Sequence, residues 1–177
     1  IAQASGLSQK TVEQIRTARD ERNPVQPGAG TTEDSGGVSS YTILQVKTGS
    51  VRSVYNTPGD CWGGYTHYNF DFLSGIETLD PNADFSHEWN IFFALGSAEI
   101  QKVSDSFDNI TEAPASGYDI DAGPLDVGDV YVFITQEGYY GKMEITAVDD
   151  QSSSCQYIKR TFKYALQTDG SRNLRTK

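Results

Sequence analysis

The sequence predicts a mostly β fold: a single antiparallel β domain of the sandwich or barrel kind, behind an N-terminal helical arm. The 177-residue chain contains ten Tyr and eight Phe, and aromatic residues are favoured in strands. Its 17 Gly and six Pro supply many turns. From residue 41 onward, short segments alternate between apolar and polar residues, which is typical of half-buried strands. We therefore assign residues 1–23 to the arm, 24–40 to a flexible linker and 41–177 to the β domain.

The arm is predicted to be a helix from Leu7 to Arg22. Val12, Ile15 and Ala18 recur at three-residue spacing, which is the period of one helix face. This apolar stripe is narrow, so the helix either lies solvated or docks onto a protein partner or a second copy of the chain. The linker that follows contains no aromatic residue, and such a composition buries too little surface to order itself.

The β domain is predicted to begin with a hairpin, YTILQV and VRSVY, turning at Thr48, Gly49 and Ser50. Residues 65–72, YTHYNFDF, alternate so that Thr66, Tyr68, Phe70 and Phe72 share one inward face. The near-continuous apolar run WNIFFAL, residues 89–95, predicts a strand covered on both faces. It is the predicted centre of the core.

Two further predictions concern the last third of the chain. VYVFIT and YYGKMEITAV flank Glu137 and Gly138, and this arrangement indicates a hairpin. The segment YIKRTFKYALQ alternates again through Ile158, Arg160, Phe162 and Tyr164. At least seven strands are expected in all.

The charge of the chain excludes several classes of partner. The formal net charge is −10 and the pI is near 4.5, whereas nucleic-acid affinity comes mainly from Lys and Arg on phosphates. We expect no nucleic-acid partner and no binding to anionic membranes. No segment approaches the roughly 18 apolar residues of a membrane span, and the start of the chain lacks the features of a signal peptide.

The two cysteines, Cys61 and Cys155, are too few for a four-ligand zinc site. A disulfide between them is the simplest use, and two buried free thiols are the alternative. A disulfide implies an oxidising compartment. We therefore expect a secreted, periplasmic or cell-surface location.

The sequence favours a protein that is not an enzyme. The familiar phosphate-loop, metalloprotease and nucleophile-elbow motifs are missing. Only two His exist, His67 and His87, which limits general-base and metal chemistry. The acidic run from Asp119 to Asp129 lacks the closing Glu of an EF-hand, so a solvated acidic turn is favoured over a calcium site. No catalytic residue and no metal are assigned.

Three segments share a pattern with a known family: WNIFF at 89–93, GDVYVFITQEGYYGKM at 128–143 and FKYALQTDGSRNL at 162–174. Together they resemble the HmuY-like family, haem-binding all-β proteins of Bacteroidetes-type bacteria. The resemblance implies an exported or surface-attached domain that grips haem through paired His or Met ligands. The family's two ligand positions hold no His or Met in this chain. The candidate ligand-binding residues are therefore Tyr118, near the second position, and His67, His87 and Met143 elsewhere.

Two functions follow from these observations. The first is an exported protein that binds haem or another small, flat, apolar ligand, for which the many Tyr and Trp side chains could form the walls. The second is a structural or assembly subunit of an extracellular or periplasmic complex, docked through its N-terminal helix.

Overall fold

The computed structural model describes residues 42–176. The predicted helix from Leu7 to Arg22 and the predicted linker at 24–40 lie outside the described residues. Within the described part, the chain forms eleven strands and two short 3₁₀ turns, Phe107–Asn109 and Ser152–Ser154. Every pairing between strands is antiparallel. The predicted fold class, mostly β with one antiparallel β domain, is confirmed.

The strands form two sheets. The six-stranded sheet has the order β2-β1-β11-β10-β9-β7, and the five-stranded sheet has the order β4-β3-β5-β6-β8. In chain order, the strands are β1 (Lys47–Tyr55), β2 (Tyr65–His67), β3 (Asn69–Asp71), β4 (Ile76–Thr78), β5 (Phe85–Glu88), β6 (Ile91–Ala94), β7 (Glu99–Val103), β8 (Asp121–Ala122), β9 (Val130–Ile134), β10 (Tyr140–Asp150) and β11 (Tyr157–Gln167).

The chain passes from one sheet to the other at Tyr68, between β2 and β3. The Tyr68 N–H donates to Arg52 O of β1 at 3.0 Å, and Tyr68 O accepts from the His87 N–H of β5, also at 3.0 Å. At another edge, Asp119 pairs with Ile100 of β7, and Ile120 O accepts from the Ala94 N–H of β6 at 2.7 Å. Backbone hydrogen bonds therefore join the two sheets at two places, and the main core lies between them.

The main core consists mostly of aromatic rings. Phe72 packs on Phe133 with ring centroids 4.0 Å apart, and Phe70 packs on Phe162 at 4.9 Å. Fully burying such a side chain contributes roughly 1.5–3 kcal/mol to folding. The alternation predicted for β11 is confirmed, because Ile158, Arg160, Phe162 and Tyr164 are all buried and the residues between them are partly exposed.

A second cluster covers the opposite face of the six-stranded sheet. Its buried members are Leu44, Phe107, Ile110, Ala113, Val130, Val132, Ala165 and Leu174. Because this sheet is covered on both faces, β9 is buried at every position and reads as an unbroken apolar run. The predicted hairpin of β9 and β10 is confirmed.

Two predictions about single strands are wrong. No hairpin turns at Gly49, because β1 continues from Lys47 to Tyr55. A Cβ on Gly49 would come within 2.6 Å of the Phe70 ring and 2.7 Å of the Phe162 ring, so this glycine allows two aromatic rings to pack on the strand. The run from Trp89 to Leu95 is not one doubly covered strand either. Trp89 lies in a turn with φ 59°, and β6 starts only at Ile91, which is exposed.

Candidate functional site

Two histidines from different sheets meet at one serine. Ser53 lies on β1 opposite His67 of β2, and His87 comes from β5 of the other sheet. Ser53 Oγ is 3.1 Å from His87 Nδ1 and 3.1 Å from His67 Nδ1. His67 Nδ1 is also 3.1 Å from His87 O. The passage of the chain between sheets at Tyr68 brings these residues together.

The hydrogen bonds determine which ring nitrogen carries the proton. The Ser53 hydroxyl donates its single hydrogen to His87 O at 2.7 Å, so Ser53 Oγ can only accept from the imidazoles. A carbonyl oxygen also only accepts, so His67 Nδ1 must carry a hydrogen to bond His87 O. Both rings therefore carry a hydrogen at Nδ1, and the Nε2 atom of the neutral His87 ring is a lone-pair acceptor.

His87 is fully buried and stays neutral. Burial, the nearby Arg160 charge and His67 together lower its pKa to about 3, with burial the largest cause. Its ring packs edge-on against Phe92 with centroids 5.8 Å apart. Its Nε2 atom has no hydrogen-bond partner within the described region.

Arg160 completes the polar end of the space between the sheets. Its side chain is 4% exposed. Nε donates to Leu125 O at 2.9 Å and Nη2 donates to Asn90 Oδ1 at 2.7 Å. Asn90 Oδ1 also accepts from the Leu125 N–H at 2.8 Å. The guanidinium thus connects β11 to the turn after β5 and to the loop before β9.

Beside this polar end, four rings form what we term the aromatic surface: Tyr55, Tyr65, His67 and Trp89. The Tyr65 ring centroid lies 4.8 Å from His67 and 4.8 Å from Trp89, and Tyr55 lies 5.2 Å from Trp89. Tyr65 is 46% exposed, and the other three rings are partly buried. All contacts are edge-to-face, a favourable geometry for aromatic rings.

The aromatic surface stands at the base of a loop fixed by a disulfide. Tyr55 and Tyr65 pair across β1 and β2, and the loop at 56–64 joins them. The Cys61–Cys155 disulfide ties this loop to the turn before β11, closing a sequence separation of 94 residues. Trp62, next to Cys61, is 96% exposed. The loop thus presents a large apolar ring to solvent while a covalent bond restricts its motion.

The structure brings together only two of the four predicted ligand-binding residues, His67 and His87. Met143 is fully buried in the main core. Tyr118 packs against the second cluster, on the opposite face of the six-stranded sheet, and its hydroxyl donates to Pro114 O at 3.1 Å. Ligand binding by any of these four residues stays a prediction.

No group of three or more His, Cys, Asp or Glu side chains within residues 42–176 could hold a metal ion. In the acidic run, the Asp129 carboxylate forms an ion pair with Lys102 at 2.7 Å and accepts a hydrogen bond from the Asp126 N–H at 3.0 Å. The preference for a solvated acidic turn over a calcium site stays a prediction.

Sequence reasoning missed Ser53, Arg160, Tyr55 and Trp89 as parts of the site. Arg160 carried a signal, because this charged residue alternates with the apolar Ile158 and Phe162 on one face of a strand, and a buried charge needs partners. Ser53 is two residues from the buried Val51 on the same strand, so alternation places both side chains on one face. Tyr55 and Trp89 carried no signal, because only the path of the chain between the sheets brings them to His67.

No family model matches the chain, and no curated protein matches it. One similar solved structure is described as the crystal structure of apo PinO from Porphyromonas gingivitis. It aligns with a TM-score of 0.36 and 12% identity over 70% of this chain and 98% of that chain. The family resemblance stays a prediction.

A membrane span was not expected from the sequence. Among the described residues, no helix is both long and apolar enough to cross a bilayer.

Proposed function

We propose that this chain is an exported, non-enzymatic binding domain that takes a flat, partly apolar ligand on its aromatic surface. The observation that carries this proposal is the cluster of Tyr55, Tyr65 and Trp89 around the half-buried imidazole of His67. The Cys61–Cys155 disulfide supports an oxidising compartment.

The aromatic surface is organised before any ligand arrives. Tyr55 and Tyr65 are held by the pairing of β1 with β2. Trp89 is held by its left-handed backbone and by its N–H, which donates to Ser53 Oγ at 3.3 Å. Rings fixed in advance lose little conformational entropy when a ligand binds, which favours affinity.

His67 has the orientation of a metal-ligating histidine. Its Nδ1–H bonds a backbone carbonyl, as the outer nitrogen of such histidines commonly does. Its Nε2 has no partner within residues 42–176 and, unlike His87 Nε2, is not among the buried unpaired atoms. Haem is therefore a candidate ligand, which His67 Nε2 would hold through the iron and the neighbouring rings would hold through the porphyrin. His87 is fully buried, so it cannot contact the same surface ligand.

The same geometry argues against nucleophilic catalysis. An activated serine gives its hydrogen to a base, usually an imidazole nitrogen. Ser53 instead gives its hydrogen to a backbone carbonyl and is itself buried. The serine positions two histidines and Trp89, which is a structural role.

Absorbance and tryptophan fluorescence during titration with haem test this proposal. We expect a Soret shift for the full chain, together with quenching from Trp89. His67→Ala should weaken haem binding at least tenfold. Tyr157→Phe removes only the hydroxyl of a partly buried ring on β11, which bonds Asp149 at 2.7 Å, and it should bind as the unchanged chain does.

Metal-free protoporphyrin separates the two parts of the proposal. If this porphyrin quenches tryptophan fluorescence but haem gives no Soret shift, binding of a flat ligand is supported and iron coordination is rejected. No response to either compound would overturn the proposed function. Deleting residues 1–40 and measuring native mass tests the alternative assembly role of the predicted helix.

A further inference from the structure

A groove of about 310 Å³ lies between the first half of β1, the neighbouring β11 and the β3–β4 hairpin of the other sheet. We term it the polar groove after its polar lining residues: Thr48, Ser50, Glu77, Lys159 and Thr161. None of them belongs to the aromatic surface. Small-molecule sites range from roughly 300 to 1,000 Å³, so this groove suits a small ligand.

Strand pairing brings the hydroxyl groups of the polar groove together. Ser50 lies directly opposite Thr161, and Thr48 is two residues from Ser50, so their side chains share one face of the sheet. Lys159 is two residues from Thr161 and lies on that face too. Within residues 42–176, none of these four side chains forms a hydrogen bond or an ion pair with another protein group. Their polar atoms are therefore available to a ligand.

The backbone of Ser50 adds a further donor and acceptor. β2 pairs with β1 only from Ser53 to Tyr55, and Arg52 O accepts from the Tyr68 N–H at 3.0 Å on the same edge. Because backbone groups alternate in direction along a strand, the N–H and C=O of Ser50 point to this edge. No described strand pairs with Ser50 there.

Glu77 supplies a carboxylate that is held in position. Arg52 Nε bonds Glu77 Oε2 at 3.2 Å, and the Arg52 guanidinium lies over the Tyr68 ring, 4.9 Å from its centroid. The Glu77 side chain is 23% exposed. A carboxylate has about four acceptor sites, so Glu77 can accept from a ligand while it stays paired with Arg52.

The inner end of the polar groove is closed. Gly49 and Phe70 line it, and Phe70 is only 1% exposed. The absence of a side chain at Gly49 lets the Phe70 ring pack directly beneath the strand. A ligand would therefore contact mainly the polar walls and the backbone of β1.

We infer that the polar groove binds a neutral, hydroxyl-rich ligand, namely a sugar. Each sugar hydroxyl both donates and accepts, as the protein hydroxyls and the Ser50 backbone do together. Glu77 accepts from such hydroxyls and Lys159 donates to them. An anion would be repelled by Glu77 and a cation by Lys159, whereas an apolar ligand would leave these groups without partners.

The same chemistry is offered by a free sugar and by the end of a glycan chain. The polar groove is open to solvent along one side, so either can enter. Because its lining residues are distinct from the aromatic surface, this inference does not depend on which ligand the aromatic surface binds.

Nuclear magnetic resonance of the full chain, labelled with nitrogen-15, tests the inference. The probes are glucose, galactose and mannose, each as the free monosaccharide and as its unbranched trisaccharide. We expect saturable shifts of the Ser50, Glu77 and Thr161 amide signals at millimolar concentrations of at least one probe. Tighter binding of a trisaccharide would identify a glycan, and equal or tighter binding of its monosaccharide would identify a free sugar. If no probe shifts these signals at tens of millimolar, the inference is wrong.

Paired variants locate the binding. Ser50→Ala combined with Thr161→Val removes two groove hydroxyls and should weaken sugar binding about tenfold. The matched control is Ser104→Ala combined with Ser106→Ala, beyond β7 at the other edge of the sheet, and it should bind as the unchanged chain does. Equal affinity in both double variants would overturn the inference. His67→Ala, the variant expected to lose haem, should keep its sugar affinity, so failure of one proposal is distinguishable from failure of the other.

Discussion

The centre and the polar end of the space between the two sheets differ in what holds them together. At the centre, Phe70, Phe72, Phe133 and Phe162 pack ring against ring and need no specific partner. At the polar end, Ser53, His67, His87 and Arg160 are also wholly or partly buried, but each depends on named hydrogen bonds. The centre therefore stabilises the fold through buried apolar area and close packing. At the polar end, burying polar and charged groups costs some stability, and their hydrogen bonds hold particular side chains in fixed positions.

The largest expected effect is at the centre. Phe72→Ala removes a fully buried ring whose centroid lies 4.0 Å from that of Phe133. We expect a loss of about 3–5 kcal/mol in the free energy of unfolding. Denaturation in urea measures it. Ile76→Ala, at an exposed position on an edge strand, should change stability by less than about 0.5 kcal/mol. An equal loss in both variants would contradict the assigned core.

The second effect is a dependence on pH at the polar end. The pKa of His87 is 6.5 unfolded and about 3 folded, so between these values the unfolded chain binds more protons. The contribution of His87 to stability is therefore complete above pH 6.5 and is lost as pH falls towards 3, by up to roughly 5 kcal/mol. Comparing urea unfolding of the unchanged chain and His87→Leu at pH 7 and pH 4.5 isolates this contribution.

Asp84 should oppose this trend. Burial is the largest cause that raises its pKa from 3.8 to about 6, while its oxygens accept from the Phe72 and Gln136 N–H groups at 2.8 Å. Between pH 3.8 and 6 the folded chain binds more protons at Asp84, so this contribution to stability grows as pH falls. The acid sensitivity of the unchanged chain should thus be smaller than His87 alone would give. A steeper loss of stability on acidification in His87→Leu than in the unchanged chain would contradict the His87 assignment, because Asp84 is present in both chains.

A smaller effect is expected at Arg160. Arg160→Met leaves Leu125 O without its side-chain donor and removes one donor from Asn90 Oδ1, but it also relieves the burial of a charge. We expect a net loss of about 1–3 kcal/mol in the free energy of unfolding, less than for Phe72→Ala. Arg160→Lys, which keeps the charge without the guanidinium geometry, is the matched variant. A gain in stability for Arg160→Met would show that desolvation of the charge outweighs its hydrogen bonds.

The smallest effect on stability is expected at Trp62. Its ring is 96% exposed, so Trp62→Ala should change the free energy of unfolding by less than about 0.5 kcal/mol. Weaker porphyrin binding in this stable variant would extend the aromatic surface to the tip of the disulfide loop. Unchanged binding would confine it to Tyr55, Tyr65, His67 and Trp89.

The sequence was most informative where burial follows the local period. In β11, alternation identified the inward residues, because every second side chain of a strand points to the same face. The β9–β10 hairpin was predicted because Gly138 interrupts two apolar runs. The prediction failed at Gly49, since a glycine that makes room for two distant rings looks the same in sequence as a glycine in a turn.

The sequence by itself determined the β class, the aromatic composition of the core and the two cysteines available to form a bridge, because these depend on composition and on a repeat of two residues. Only the tertiary structure decided that His67 and His87 share Ser53, that Trp89 turns back onto Tyr55 and Tyr65, and that Met143 and Tyr118 lie apart from them. These arrangements depend on Tyr68, where the chain leaves one sheet for the other, and such a crossing is set by long-range backbone hydrogen bonds that no local pattern encodes.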